Sequence, residues 1–132
     1  MTSWSVAHDG RVLGPGRTQI GYFDVNGDVY LPQRLDALGN PYGAPPNANV
    51  GPDGTVVIET TAIVGQVDQH GTVVDVAGLT LATVSRDGGV HDPAGQPIGF
   101  VDPQLHGEQP QPGQPTLPAR AAAAVVLVIV PA

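Results

Sequence analysis

The sequence predicts an all-β protein of about five 17-residue β-hairpin repeats, arranged as a meander in a β-solenoid-like stack or a small sandwich or barrel, with an extended C-terminal arm. Three observations predict it. Turn glycines recur at Gly10, Gly27, Gly54, Gly71 and Gly88, with spacings of 17, 27, 17 and 17 residues. Each is preceded by Asp9, Asn26, Asp53, His70 or Asp87, residues that bond the local backbone in turns. Apolar residues stand four before each glycine (Val6, Phe23, Val50, Val67, Val84) and valines two after it (Val12, Val29, Val56, Val73, Val90). Repetition at one period is the signature of a stacked or wrapped array of small units.

Within a unit, the offsets decide the turn. A two-residue loop would put the residue four before the glycine and the valine two after it on opposite faces. A three-residue loop ending in a left-handed glycine puts them directly opposite on one face. Units such as 67–73 are therefore read as hairpins with a bulged three-residue loop. A second turn closes each period, clearest in Asp75-Val76-Ala77-Gly78 and Asp92-Pro93-Ala94-Gly95, where Asp first and Pro second suit a type I turn. An aliphatic followed by a small residue recurs at Ile20-Gly21, Val64-Gly65, Leu81-Ala82 and Ile98-Gly99, and marks a bulge or a close backbone approach. Two strands per unit give about ten strands. Isolated hairpins are marginal in water, so the units must pack on one another.

The second interval carries ten extra residues, within an irregular loop at 35–49 that offers Tyr42 as a contact point. Three regions follow: a hairpin-repeat domain at 1–105, a Pro/Gln-rich linker at 106–118 of polyproline character, and an apolar arm at 119–132. The run 121–130 is wholly apolar, too short to span a bilayer as a helix, and as an exposed strand would invite aggregation. It must be buried. The long spacer favours insertion into another subunit, with a central strand of its own domain as the other arrangement.

Composition narrows function. The chain has 132 residues, no Cys, no Lys, and a net charge of −7 from 5 Arg against 12 acidic residues. That excludes a basic footprint for nucleic acid and attraction to anionic lipid. Without Cys there is no disulfide framework, thiolate metal site or cysteine nucleophile. The first nine residues lack the basic and apolar regions of a signal peptide, so synthesis in the cytoplasm is expected.

Ser3, Ser5 and Ser85 lack a nucleophile-elbow pattern, and His8, His70, His91 and His106 are scattered without zinc spacing. The segment Asp24-Val25-Asn26-Gly27-Asp28 begins like a calcium loop, but Val29 stands where its glycine belongs and Leu35 where its bidentate Glu belongs. No catalytic, cofactor-binding or metal-binding residue is assigned, and the chain is read as not an enzyme.

Two resemblances follow. The segment 21–29, with Gly21, Tyr22, Phe23 and Asn26-Gly27, resembles a unit of the choline-binding and glucan-binding cell-wall repeats. That likeness implies, as the alternative reading, a carbohydrate- or cell-wall-binding module that holds sugars or choline on aromatics. The aromatic pair is missing from the other units, for example at Gly65-Gln66-Val67. The chain as a whole is similar to small virion proteins of tailed bacteriophages of high-GC hosts, in its Gly/Asp-rich β repeats, acidity and apolar terminal arm. This implies a minor tail, tail-tip or capsid-decoration component, localised to the virion. Its expected partners are further copies of itself and other virion proteins, with a host-surface glycan as a further candidate, and with no nucleic acid and no membrane span. It would assemble by β pairing and docking of the arm.

Overall fold

A computed structural model describes residues 3–43, 45–59, 61–107 and 113–130. Eleven strands form one closed barrel: β1 (Trp4–Val6), β2 (Arg11–Leu13), β3 (Gln19–Phe23), β4 (Asp28–Tyr30), β5 (Ala48–Val50), β6 (Thr55–Ile58), β7 (Ala62–Val67), β8 (Thr72–Asp75), β9 (Thr80–Val84), β10 (Gly89–His91) and β11 (Pro97–Val101). Each strand pairs antiparallel with its chain neighbour, and β1 closes on β11 in parallel. An odd number of alternating strands requires this, because the first and last then run the same way. The eleventh strand begins a sixth repeat, which stops where Leu105 stands in place of a turn glycine.

The predicted register holds in every repeat. Val6 faces Val12, Phe23 faces Val29, Val50 faces Val56, Val67 faces Val73 and Val84 faces Val90. Nine of these ten are fully or almost fully buried, Val84 partly so, and together they line one level of the lumen. The turns are three-residue loops: Gly71 N–H donates to Asp68 O, and Asp68 N–H donates to Thr72 O. Asp68 Oδ1 also accepts from His70 N–H and Thr72 N–H. The second turns use the same design, as Asp75 and Asp92 show. Bulges fall at Ile20, Val64, Leu81 and Ile98, as expected, and they supply the extra twist that lets so short a sheet curl shut.

The C-terminal segment corrects the expectation of an extended arm, whether exchanged between subunits or paired as a central strand. Helix α1 (Leu117–Ala124) continues into a π-helical turn at Val125–Ile129 and lies inside the chain's own barrel. Ala121, Ala122, Ala123, Ala124 and Val125 are completely buried. The physical reason is backbone accounting. A closed sheet offers no free edge, so a strand within it would leave its N–H and C=O groups unpaired, whereas a helix satisfies its own. Fourteen residues at 117–130 give about 21 Å of helix, close to the roughly 20 Å of a six-residue strand. Thr116 caps the start, its Oγ1 accepting from Ala119 N–H at 3.2 Å, with Pro118 in the first turn. Much of the predicted polyproline spacer, at 108–112, lies outside the described residues.

Size complementarity fits helix to wall. Beside the thin alanine stretch the wall carries its valines. Two residues earlier in each odd strand the wall narrows to Gly21, Ala48, Gly65, Ala82 and Gly99, with Trp4 at the sixth position. Here the helix thickens. A Cβ on Gly21 would come within 2.8 Å of Ile129 Cδ1, and one on Gly65 within 2.7 Å of Leu127 Cδ1. Trp4 instead crosses the β1–β11 seam onto Gly99, where a Cβ would meet the indole at 2.5 Å.

Candidate functional site

The barrel has two unlike ends. The five first turns make one end, covered by a 3-10 turn at Leu105–Gly107 that buries Leu105. His106 N–H donates to His8 O, and His106 Nε2 lies 2.8 Å from Phe23 O. Two of the scattered histidines thus serve as part of this cover. Arg120, near the helix start, donates from Nη2 to Val50 O at 2.6 Å. A polar cleft of about 880 Å³ opens between His70, Arg86, Gln104 and Gln114.

The segment resembling a calcium loop is a hairpin turn. Asp24 Oδ1 accepts from Asn26 N–H and Asp28 N–H, at 2.9 and 2.8 Å. Burial pushes the Asp24 carboxyl above the usual carboxylate range, outweighing those two donors. Asp9 moves the other way: burial raises it, but the Arg11 backbone and guanidinium donors more than offset that. Among the described residues no group of three or more His, Cys, Asp or Glu could hold a metal ion.

Ser85 gains partners that its sequence context did not announce. Its Oγ donates to Asp87 Oδ1 at 2.5 Å, with Gly89 O at 3.1 Å as a second acceptor within reach of the same proton and the His91 ring also beside Gly89. The hydroxyl's hydrogen bond holds the Asp87 carboxyl below its usual range. A nucleophilic serine needs the imidazole between itself and the carboxylate. Here the carboxylate takes the hydroxyl directly, on an exposed turn, so the cluster braces a hairpin.

The aromatic pair of the cell-wall-repeat resemblance divides. Phe23 points into the lumen, while Tyr22 and Tyr30 meet on the outer wall with ring centroids 6.4 Å apart. The 35–49 insertion folds back over this flank, held by Arg11 Nη2 on Asn40 Oδ1 and Gln19 Nε2 on Gly39 O. Tyr30 is left only 8% exposed, and burial raises both phenols. Tyr42 is exposed, its hydroxyl donating to Gln33 O at 3.3 Å.

The other end, made by the second turns, holds the barrel mouth. A cleft of about 550 Å³ lies there, lined by Trp4, Ile20, Leu31, Pro32 and Ile129, with Val130 at its rim. Nearby stand exposed apolar side chains: Val76, on a turn, is 75% exposed, Leu79 just after it 63% and Ile63 near the start of β7 59%. Arg17 and Glu59 stand on turns at this end with φ of 63° and 51°. Sequence reading missed this end. The available signal was the contrast between polar tips such as Gln69-His70 and apolar ones such as Val76-Ala77 on turns of equal length. Among the described residues no helix is long and apolar enough to cross a membrane. Comparison of the chain with protein-family models, curated proteins and solved structures finds no match.

Proposed function

We propose that the chain is a non-enzymatic structural component of a larger assembly, a rigid self-filled peg rather than a ligand carrier. The observation that carries this reading is the occupied lumen. Barrels of this size have room for a ligand or channel, and here the chain's own helix takes that space, with Ala121 to Val125 completely buried. The interior therefore contributes stability and leaves recognition to the outside. The closed sheet also has no strand edge to lend, so association runs through the ends and flanks of the barrel. A minor tail, tail-tip or capsid-decoration protein of a tailed phage is the instance that best suits an acidic Gly/Asp-rich repeat barrel. Immunogold microscopy with antibody to the folded barrel tests it on purified particles. Label at a fixed place on the particle is expected; particles free of label, with the protein confined to the soluble fraction, would overturn it.

The rival, a sugar-binding module, draws on the Tyr22–Tyr30 pair. Because Tyr30 is buried, that pair presents chiefly the Tyr22 ring. Glycan-array binding lost in Tyr22→Ala would support the rival.

A further inference from the structure

We propose that Asn26-Gly27 is a deamidation site that the closed barrel holds shut, so that it converts only when the hairpin of β3 and β4 opens. This is a modification of the chain by water, and it goes beyond the structural-component reading.

The sequence supplies the reactants. In deamidation the backbone nitrogen of the following residue attacks the side-chain amide carbon. A C–N bond forms, ammonia leaves with the proton given up by that nitrogen, and a five-membered succinimide remains. Water then opens the ring at either carbonyl, giving aspartate or isoaspartate. Of Asn26, Asn40, Asn47 and Asn49, only Asn26 precedes a glycine, whose missing Cβ leaves ring closure unhindered. Asn40 precedes Pro41, which has no N–H to give up, while Asn47 and Asn49 precede Ala48 and Val50. Asn26 is also exposed, at the tip of its turn.

The fold opposes the reaction. Ring closure puts Asn26 Cγ where the Gly27 amide hydrogen stands, so that N–H must swing toward the side chain. In the barrel it donates instead to Asp24 O at 3.0 Å. The backbone on either side is held as well: Asn49 Nδ2 donates to Asn26 O at 3.4 Å, and Val50 N–H donates to Gly27 O at 2.8 Å. Gly27 is buried with φ of +86°, and its Cα lies close against β5. A Cβ there would run into the Val50 carbonyl oxygen and lie 2.5 Å from Arg120 Nη2. The peptide plane therefore has no room to turn until this loop leaves β5. The native rate is then the rate of the open hairpin multiplied by the fraction open.

The two products differ in what they do to the barrel. Asp stands at this position in three of the other four units, as Asp9, Asp53 and Asp87. Each of these accepts, at Oδ1, the backbone N–H two residues on. Aspartate at 26 thus gives a turn that the repeat already uses. Isoaspartate routes the main chain through the side-chain carbon and adds a backbone atom to the loop. Gly27 then cannot keep its N–H on Asp24 O and its own carbonyl on Val50 N–H together. One opening event leads to a chain that recloses or to one that does not.

Incubation of the full chain in mildly alkaline buffer, with and without denaturing urea, tests this by peptide mapping that resolves isoaspartate from aspartate. Asn26 is expected to convert in urea ahead of Asn40, Asn47 and Asn49. In buffer it should convert at least about thirtyfold more slowly, and faster as urea is added below the unfolding midpoint. Of the chains converted in buffer, the aspartate form should resist thermolysin as the parent does, and the isoaspartate form should be cut. Asn26→Asp should keep the circular dichroism and cooperative unfolding of the parent. No conversion at Asn26 in urea, conversion as fast in buffer as in urea, or a buffer rate indifferent to low urea would each overturn the proposal. So would isoaspartate chains as resistant as the parent, or an Asn26→Asp chain that does not fold. All of these use the isolated chain, so particle labelling succeeds or fails separately.

Discussion

At the scale of residues, the repeat is defended by carbonyl oxygens. Gly54 has φ +91°, and a Cβ there would run into the Val67 carbonyl oxygen of the next unit, the residue whose N–H donates to Gly54 O. Gly95 has a similar φ of +83° with open space around it. Gly95→Ala should therefore cost about 1 kcal/mol, the ordinary penalty of a left-handed alanine, and Gly54→Ala about 3 kcal/mol, because the neighbouring strand must also shift. Urea unfolding midpoints distinguish the two. The carboxylates divide as well. Asp24 has a folded-state pKa raised by burial, so its ionised form weakens the fold at neutral pH, and that penalty is relieved as pH falls through the folded value. Asp24→Asn keeps the acceptor for both backbone donors. It should be at least as stable as the parent at pH 7, with the difference shrinking toward about pH 4. Asp9 has a lowered pKa, so its contribution is present above the unfolded value and lost as pH falls through the folded one. Asp9→Asn should be less stable than the parent at neutral pH, converging with it in acid. Chemical denaturation across that range checks both signs.

At the scale of elements, the hairpins were legible and the helix was not. The offsets of −4 and +2 around each turn glycine contain the loop length, and loop length fixes register, so the Val67–Val73 pairing could be read from spacing alone. For residues 125–130 the same local reasoning points to a strand, because Val and Ile are β-formers. What overrides it is non-local: the environment inside a closed sheet, which supplies no backbone partners. A trace of that environment was in view, since Gly21, Gly65 and Gly99 recur at lumen-facing positions where a self-contained sheet would pack larger side chains. The fit makes a coupled prediction. Gly21→Ala should destabilise the barrel by about 1–3 kcal/mol through overpacking. It should cost less in an Ile129→Val background, which removes the Cδ1 that the new methyl meets. A double-mutant cycle by thermal or urea unfolding measures this coupling.

At the scale of the molecule, helix and wall form one core. Deleting 117–132 empties the lumen, and the shortened chain should lose cooperative unfolding and bind a hydrophobic dye, as loosely packed states do. Trp4 is the single tryptophan and sits across the closing seam, so its fluorescence reports barrel closure directly. For the full chain its unfolding curve should coincide with that from far-UV circular dichroism. The cleft at the barrel mouth was the least legible feature. It depends on which turns share an end, and only the closed strand order reveals that.

The threaded helix also has a mechanical side. β1 begins at the barrel mouth, and Val130 leaves through that same opening, so both described ends of the chain emerge together. A load applied between them does not shear the strands lengthwise. It peels β1 away residue by residue from β2 and β11, and it pulls the helix along its own axis toward the gap that this creates. Under tension from its ends the barrel should yield early, at the seam. Tension borne by the hairpin tips would spread over the closed hydrogen-bonded ring, and the same molecule should then resist it far longer.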